Sequence, residues 1–501
     1  MLSDMKKRLL FWTNVFMLHF GLAYYLQQKI DAEFYAIIDV PNKPKKMFQN
    51  QNLINFQKTW YFHDQIIKTQ QKPDLEYLSK FEERYQIDLW KLAINERFFY
   101  RFNRFYKFST DEILQILEQE CKLFEQILDE TKPDYFLIYD PPFHYQKLLL
   151  EICKVRNIKV LCIYFARIGG KSVIAEDGGT LDLPKKIEFS KLENESEKAN
   201  EIKNEMNYSV LAKKYKNDRG SSSSDKVKAF FDYILYSDSQ NTKSNFTYYG
   251  RSKPKVILDT ISLSIKRKIR ARFMIKKLES SPDLNIPYVY FPMNVEEELS
   301  VLHYSPFFTN QIEMIRHLAK SIPIDHKLYV KDHPFAGFRG WHEIKEYQEI
   351  MEIPNVELIH TSFSSEDLIK QSKLVVTIRG TASFDAAEKN IPSLVFGDIP
   401  FSILPSVYKV DALMDIPHVI KTALKTTVNS EDVQKYIDMI NAKSINFDMM
   451  DFEVKRNRHF YSGNILSDVD ISENSVKEFF DNNKKYFQPL VDAHLSKINP
   501  I

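Results

Sequence analysis

Short apolar runs alternate with amphipathic stretches along most of this chain, the pattern of buried strands separated by helices. Residues 9–12 read as a strand. A helix starts near Asn14, with Val15, Leu18, Leu22 and Leu26 at helical spacing, and residues 36–40 form the next strand. An aromatic-rich helical region covers 75–130. Residues 134–140 (DYFLIYD) are a buried strand broken by Pro141-Pro142, residues 145–156 a helix, and Lys159–Phe165 (KVLCIYF) another strand. Strand, crossover helix and strand within about 30 residues is the parallel βαβ unit.

A second alternating stretch starts near Ile286. Strands are expected at 288–291, 327–330, 356–359, 374–378 and 393–396, with helices at 306–320, 341–351, 366–373 and 382–389 between them. Such alternation with short loops predicts a doubly wound sheet. Residues 183–255 are rich in Lys, Glu, Asn and Ser and read as helical excursions with a mobile linker. Residues 264–277 (SIKRKIRARFMIKK) are strongly basic, with Ile265, Ile269, Phe273 and Met274 near helical spacing. This segment is either a solvated helix face joining domains or a peripheral contact with anionic lipid. Residues 421–501 read as mostly helical. The domains expected are thus 1–182, an insertion at 183–285, 286–420, and a helical region at 421–501 packing back across them.

A length of 501 residues suits two or three domains, and the mix of 44% apolar with 27% charged residues is that of a folded chain. A net charge of +2 gives no global nucleic-acid footprint. Cys121, Cys153 and Cys162 have no metal-binding spacing. The last two sit in apolar contexts as core thiols, which fits a reducing cytoplasm. The apolar run at 9–26 looks like a signal or membrane segment. Asn14, His19 and Gly21 interrupt it, a small-residue cleavage site is missing, and it falls short of a span of about 20 residues. The chain is therefore expected to be cytoplasmic.

Two loops carry the candidate chemistry. Lys331-Asp332-His333-Pro334 and Arg379-Gly380-Thr381-Ala382-Ser383 each follow a strand, and the second opens a helix. In an open α/β sheet, loops at the carboxyl ends of strands form the ligand crevice. Pro334 ends its strand, so His333 projects from the strand's end and could donate to a phosphate oxygen. Lys331 adds a point charge, and Arg339 a fork for phosphate or carboxylate. Gly380 permits close backbone approach, while Arg379, Thr381 and Ser383 bring charge and hydroxyls to a helix start. The plainer reading is a surface turn at His333 and N-capping by Thr381. Neither Gly-x-Gly-x-x-Gly nor Gly-x-x-x-x-Gly-Lys occurs, which disfavours a dinucleotide enzyme or a P-loop NTPase. Earlier in the chain, Glu176-Asp177-Gly178-Gly179 could supply a general base, or be a polar turn.

An acidic pair with Gly, then Lys-x-His-Pro, then a Ser/Thr-rich loop before a helix resembles the bacterial capsular polysaccharide biosynthesis proteins. These are similar to the Kdo- and sialic-acid-transferring enzymes. Residues 288–397 carry most of the likeness, with 331–334 and 380–386 as its core and Asp385 where relatives often have Glu. The resemblance implies a GT-B-like α/β fold, two Rossmann-like doubly wound domains facing across a cleft, the first receiving the acceptor and the second holding the donor. It implies a glycosyltransferase of capsule or surface polysaccharide biosynthesis that uses a nucleotide-sugar, such as a CMP-activated Kdo or sialic-acid-like sugar, and a glycan acceptor. His333 would contact donor phosphate, Thr381 and Ser383 would hold phosphate or the sugar carboxylate, and Asp177 or Glu176 would be the base. With no Asp-x-Asp in either loop, no metal cofactor is expected. A CDP-glycerol-type glycerophosphotransferase and a non-catalytic capsule assembly protein are the alternatives.

Overall fold

The computed structural model describes residues 6–184, 189, 223–334, 336–339, 342–461 and 468–499, without the side chains of 223–229, 300, 338 and 339. Most of the stretch read as a mobile linker, 185–188 and 190–222, lies outside the described residues. The chain divides into two compact units. One is Met1–Glu176, Ile202–Val256 and Lys443–Ile501, and the other is Asp177–Glu201 with Ile257–Ala442.

The first unit holds β1 (Lys7–Asn14), β2 (Ala32–Asp39), β3 (Lys58–Tyr61), β4 (Tyr135–Tyr139), β5 (Lys159–Phe165) and β6 (Ser172–Ala175). Their order is β3-β2-β1-β4-β5-β6, parallel except for β6. This is the Rossmann strand order. Strand β1 is apolar on both faces because both are covered: Leu9, Leu10, Phe11 and Trp12 are all buried. The helix Leu18–Leu26 follows, buried along nearly its whole length. Its Gly21 lies against the C-terminal helix Glu473–Ile498, where an added Cβ would come within 2.5 Å of the Phe487 ring. A run that looked membrane-like is thus a strand and a helix inside one core. No helix among the described residues is long and apolar enough to cross a membrane. Cys121, Cys153 and Cys162 are free and buried.

The second unit repeats the order with β7 (Tyr288–Pro292), β8 (Lys327–Lys331), β9 (Val356–Ile359), β10 (Leu374–Thr377), β11 (Ser393–Val395) and β12 (Val407–Lys409). The sheet runs β12-β11-β10-β7-β8-β9, all parallel. Alternate residues feed two cores. Val289, Phe291, Leu328 and Val330 pack with helices Gln311–Ser321, Ile344–Met351 and Ile416–Ala423. Tyr288, Tyr290 and Tyr329 face the other side, with Leu368 and Ala386 from helices Ser365–Gln371 and Ala382–Glu388.

The basic segment is the end of a longer helix, Lys253–Lys277. The apolar face expected from Ile265, Ile269, Phe273 and Met274 is split. Met274 is buried in the core and Phe273 packs over Tyr347, whereas Ile265 and Ile269 are exposed.

Candidate functional site

Strand β7 is the first strand of the second sheet. Chain order runs outward from it on one side through β8 and β9, and resumes on its other side at β10. The junction of β7 and β10 is therefore the topological switch point, where an open α/β sheet leaves a crevice beyond its carboxyl edge. Both predicted loops open onto that edge, since β10, β7 and β8 are adjacent and parallel. With strands ~4.8 Å apart, their starting points lie about 10 Å from each other.

Between them sits a residue that sequence reasoning passed over. Asn294 follows β7, buried, and its Oδ1 accepts from Thr377 Oγ1 at the end of β10 (3.1 Å). Gln311 holds its backbone from both sides, accepting from Asn294 N (2.7 Å) and donating to Asn294 O (2.8 Å). The same strand-then-polar-residue pattern that marked the other loops would have found it. Gly380 packs on this pair: a Cβ there would stand 2.6 Å from Thr377 Oγ1 and 3.4 Å from Asn294 Nδ2. Only glycine lets the β10 loop approach the β7 loop so closely.

On the β8 loop, burial and the neighbouring Lys331 push the His333 imidazole down to about 4. It is therefore neutral near pH 7, a ring with one N–H rather than a cationic clamp. Lys331 is buried, its ammonium bonded to Phe363 O (2.5 Å) and Ser365 Oγ (2.7 Å), and burial lowers its pKa to about 8. Its charge is committed to closing the neighbouring loop. Asp332 is buried as well. It accepts from the His333 backbone (2.7 Å) and from the Tyr347 hydroxyl, with His342 Nε2 at 3.7 Å. Burial raises Asp332. Burial opposes protonation of His342, but Glu346 and Asp332 prevail and raise it to about 9. This network fixes the backbone that presents His333. Pro334 is exposed, three residues past the end of β8, and Arg339 falls in the short helix Ala336–Arg339 with its side chain outside the described residues.

On the β10 loop, Arg379 is almost wholly buried. It donates to Asp398 O (2.6 Å) and Gly178 O (3.1 Å), with its guanidinium 3.8 Å over the Tyr304 ring. Ser383 is buried and donates to Gly380 O (2.8 Å), locking the loop. Thr381 is half-buried at the start of helix Ala382–Glu388 and makes no side-chain capping bond. The capping alternative is therefore not what its hydroxyl does. Asp385, in the first turn, is pushed up to about 7 by burial and by Glu388.

The acidic turn sits closer to this loop than its place in the chain suggested. Asp177 begins a segment of the second unit, and Gly178 O is the acceptor for Arg379. The Asp177 carboxylate accepts from Gly179 N (3.1 Å) and Thr180 Oγ1 (2.9 Å), while Glu176 is exposed just past β6. No group of three or more His, Cys, Asp or Glu among the described residues could hold a metal ion.

Two Rossmann-like units, the second with polar loops at its switch point, define an α/β protein of two doubly wound parallel-dominant sheets. Within it, residues 195–405 match the family described as capsule polysaccharide biosynthesis protein. That stretch contains both loops. Among curated proteins none matches. Similar solved structures include UDP-GlcNAc 2-epimerases and a transferase. The Methanocaldococcus jannaschii epimerase has 14% identity and a TM-score of 0.25, over 87% of this chain and 100% of its own. The Neisseria meningitidis enzyme bound to UDP-GlcNAc has 13% identity and a TM-score of 0.26, over 88% and 100%. KpsC of Thermosulfurimonas dismutans, a β-Kdo 2,7 transferase, has 12% identity and a TM-score of 0.30, over 80% and 98%. The architecture assigned to this chain rests on its own strand order.

Proposed function

We propose that the protein is a glycosyltransferase of capsule or surface polysaccharide biosynthesis, with a nucleotide-sugar donor held at the carboxyl edge of the second sheet. The observation that carries this reading is the convergence of the Asn294, His333 and Thr381 loops on one switch point, inside the stretch that matches the capsule family. The neutral His333 and the Thr381 hydroxyl supply hydrogen bonds to donor phosphate. Neighbouring donors that become stronger as negative charge develops on the departing phosphate favour the transition state over the ground state. Glu176 and Asp177 provide the base that takes the proton of the acceptor hydroxyl, in a turn that Arg379 ties to the donor loop. The hydroxyl oxygen then attacks the anomeric carbon as the bond to phosphate breaks, through an oxocarbenium-like state. Transfer is metal-independent on this reading, so a chelator leaves it unchanged.

The test is a thermal-shift panel of CMP, CDP, UDP, GDP and dTDP on wild type and Thr381→Val. A ligand of the folded state raises its melting temperature by mass action. One nucleotide should do so in the wild type and much less in the variant, with the ligand-free melting temperatures alike. If every nucleotide leaves both proteins unmoved, the donor-site reading is lost.

A further inference from the structure

The long helix Lys253–Lys277 carries an outward face that the reaction chemistry does not use. Leu258, Ile261, Ile265 and Ile269 follow one another at steps of three and four residues, so they share one face. They are 66%, 53%, 55% and 50% exposed. The next positions on that face are Arg272 and Lys276, also exposed, with exposed Lys268 beside them. The opposite face is the packed one. Met274 enters the core, Phe273 packs over Tyr347, and Arg270 reaches Glu343 at 3.6 Å. At the helix's first turn, Lys253 Nζ donates to Ile234 O (2.7 Å), in a helix whose Phe230, Phe231, Leu235 and Tyr236 are exposed too.

An aliphatic stripe left in water is costly, and contiguous exposed apolar surface marks an interaction site. The charge around it identifies the partner. Asp259 is the single carboxylate of the helix, while Lys266, Arg267, Lys268, Arg270, Arg272 and Lys276 crowd its second half. A protein groove for this face would have to match both an aliphatic ridge and dense positive charge. A bilayer with anionic headgroups offers both at once, acyl chains below and negative charge at the surface.

We propose that this helix is a membrane-surface anchor, with Leu258, Ile261, Ile265 and Ile269 entering the headgroup–acyl boundary and Lys268, Arg272 and Lys276 pairing with anionic lipid. Its aliphatic part is centred about two turns nearer the N-terminus than the basic sequence alone suggested. It is a property of the helix face, separate from the reaction assigned to the second unit.

The full-length protein should be mixed with vesicles of phosphatidylcholine alone and of phosphatidylcholine with phosphatidylglycerol, and floated on a density gradient. Binding to the anionic vesicles should exceed binding to neutral ones by about tenfold or more at low salt, and fall as salt rises. Ile265→Glu/Ile269→Glu changes two half-exposed positions, so the fold should survive, as circular dichroism and melting temperature will report. Its vesicle binding should be lost. Lys268→Gln/Arg272→Gln should weaken binding and flatten the salt dependence. Equal binding to both vesicle types overturns the proposal. So does undiminished binding of the folded Ile265→Glu/Ile269→Glu variant, or concentration-dependent self-association through this face with no vesicle binding at all.

Discussion

Replacing His333 with glutamine tests the β8 loop directly, because the histidine is held in an uncharged state that the fold must defend. Its imidazole titrates at about 4 in the folded protein, pushed there by burial and then by Lys331. The unfolded chain titrates near 6.5. Above pH 6.5 neither state binds the proton, and the full stability is present. Between 6.5 and 4 the unfolded state takes up a proton the folded state refuses, so stability falls as pH falls. A depression of roughly 2.5 pH units at 1.36 kcal/mol each gives about 3 kcal/mol in total, most of it lost by pH 4.5. His333→Gln keeps a side-chain N–H and cannot titrate. The experiment is urea unfolding of both proteins at several pH values from 7.5 to 4.5. The buried His19 and His494, lowered to about 3 and 4, titrate in both proteins and cancel in the difference. Wild type should lose roughly 2.5 kcal/mol more than the variant across that range. A nucleotide phosphate bound beside the ring would favour its charged form, so wild-type affinity should rise on acidification while that of the variant stays flat. If the two unfolding free energies run parallel with pH, the imidazole is not held neutral by burial, and the account of the β8 loop fails.

Two further predictions concern the β10 loop. Gly380→Ala drives a methyl to 2.6 Å from Thr377 Oγ1. It should cost about 1–3 kcal/mol by urea unfolding, part of which returns when Thr377→Ala is added; strictly additive losses would refute the contact. Arg379→Ala removes the donors to Asp398 O and Gly178 O and the stacking on Tyr304. It should cost about 3 kcal/mol, speed proteolytic cleavage within 177–182, and be poorly rescued by Arg379→Lys, which lacks the planar fork. An unchanged cleavage rate would remove the tie between the two loops.

Hydrophobic patterning was enough to locate the long buried strands, because a parallel strand covered on both faces is a continuous apolar run. The Lys159–Phe165 strand appears where the sequence put it, and β1, β4, β7, β8 and β10 lie within a few residues of expectation. Strands β3, β6 and β12 escaped notice. KTWY, SVIA and VYK span four residues or fewer, and each pairs with a single neighbour at a sheet edge. In the same way, the sequence marked which loops end strands.

What those residues do there was decided by the tertiary structure. A sequence shows that Lys331, Arg379 and Ser383 are polar, but not that burial obliges each to spend its hydrogen bonds inside the protein. It shows an ionisable His333, but not the low-dielectric surroundings that keep it neutral. Asn294 comes to lie between the two loops only because β7 pairs with both β8 and β10, a neighbour relation set across long stretches of chain. On the Lys253–Lys277 helix, helical spacing identified Ile265, Ile269, Phe273 and Met274, and only packing told the two that meet the core from the two that face water. Local pattern sets which elements form; the free energy of burying a particular face, summed over distant partners, sets which side chains are left to act.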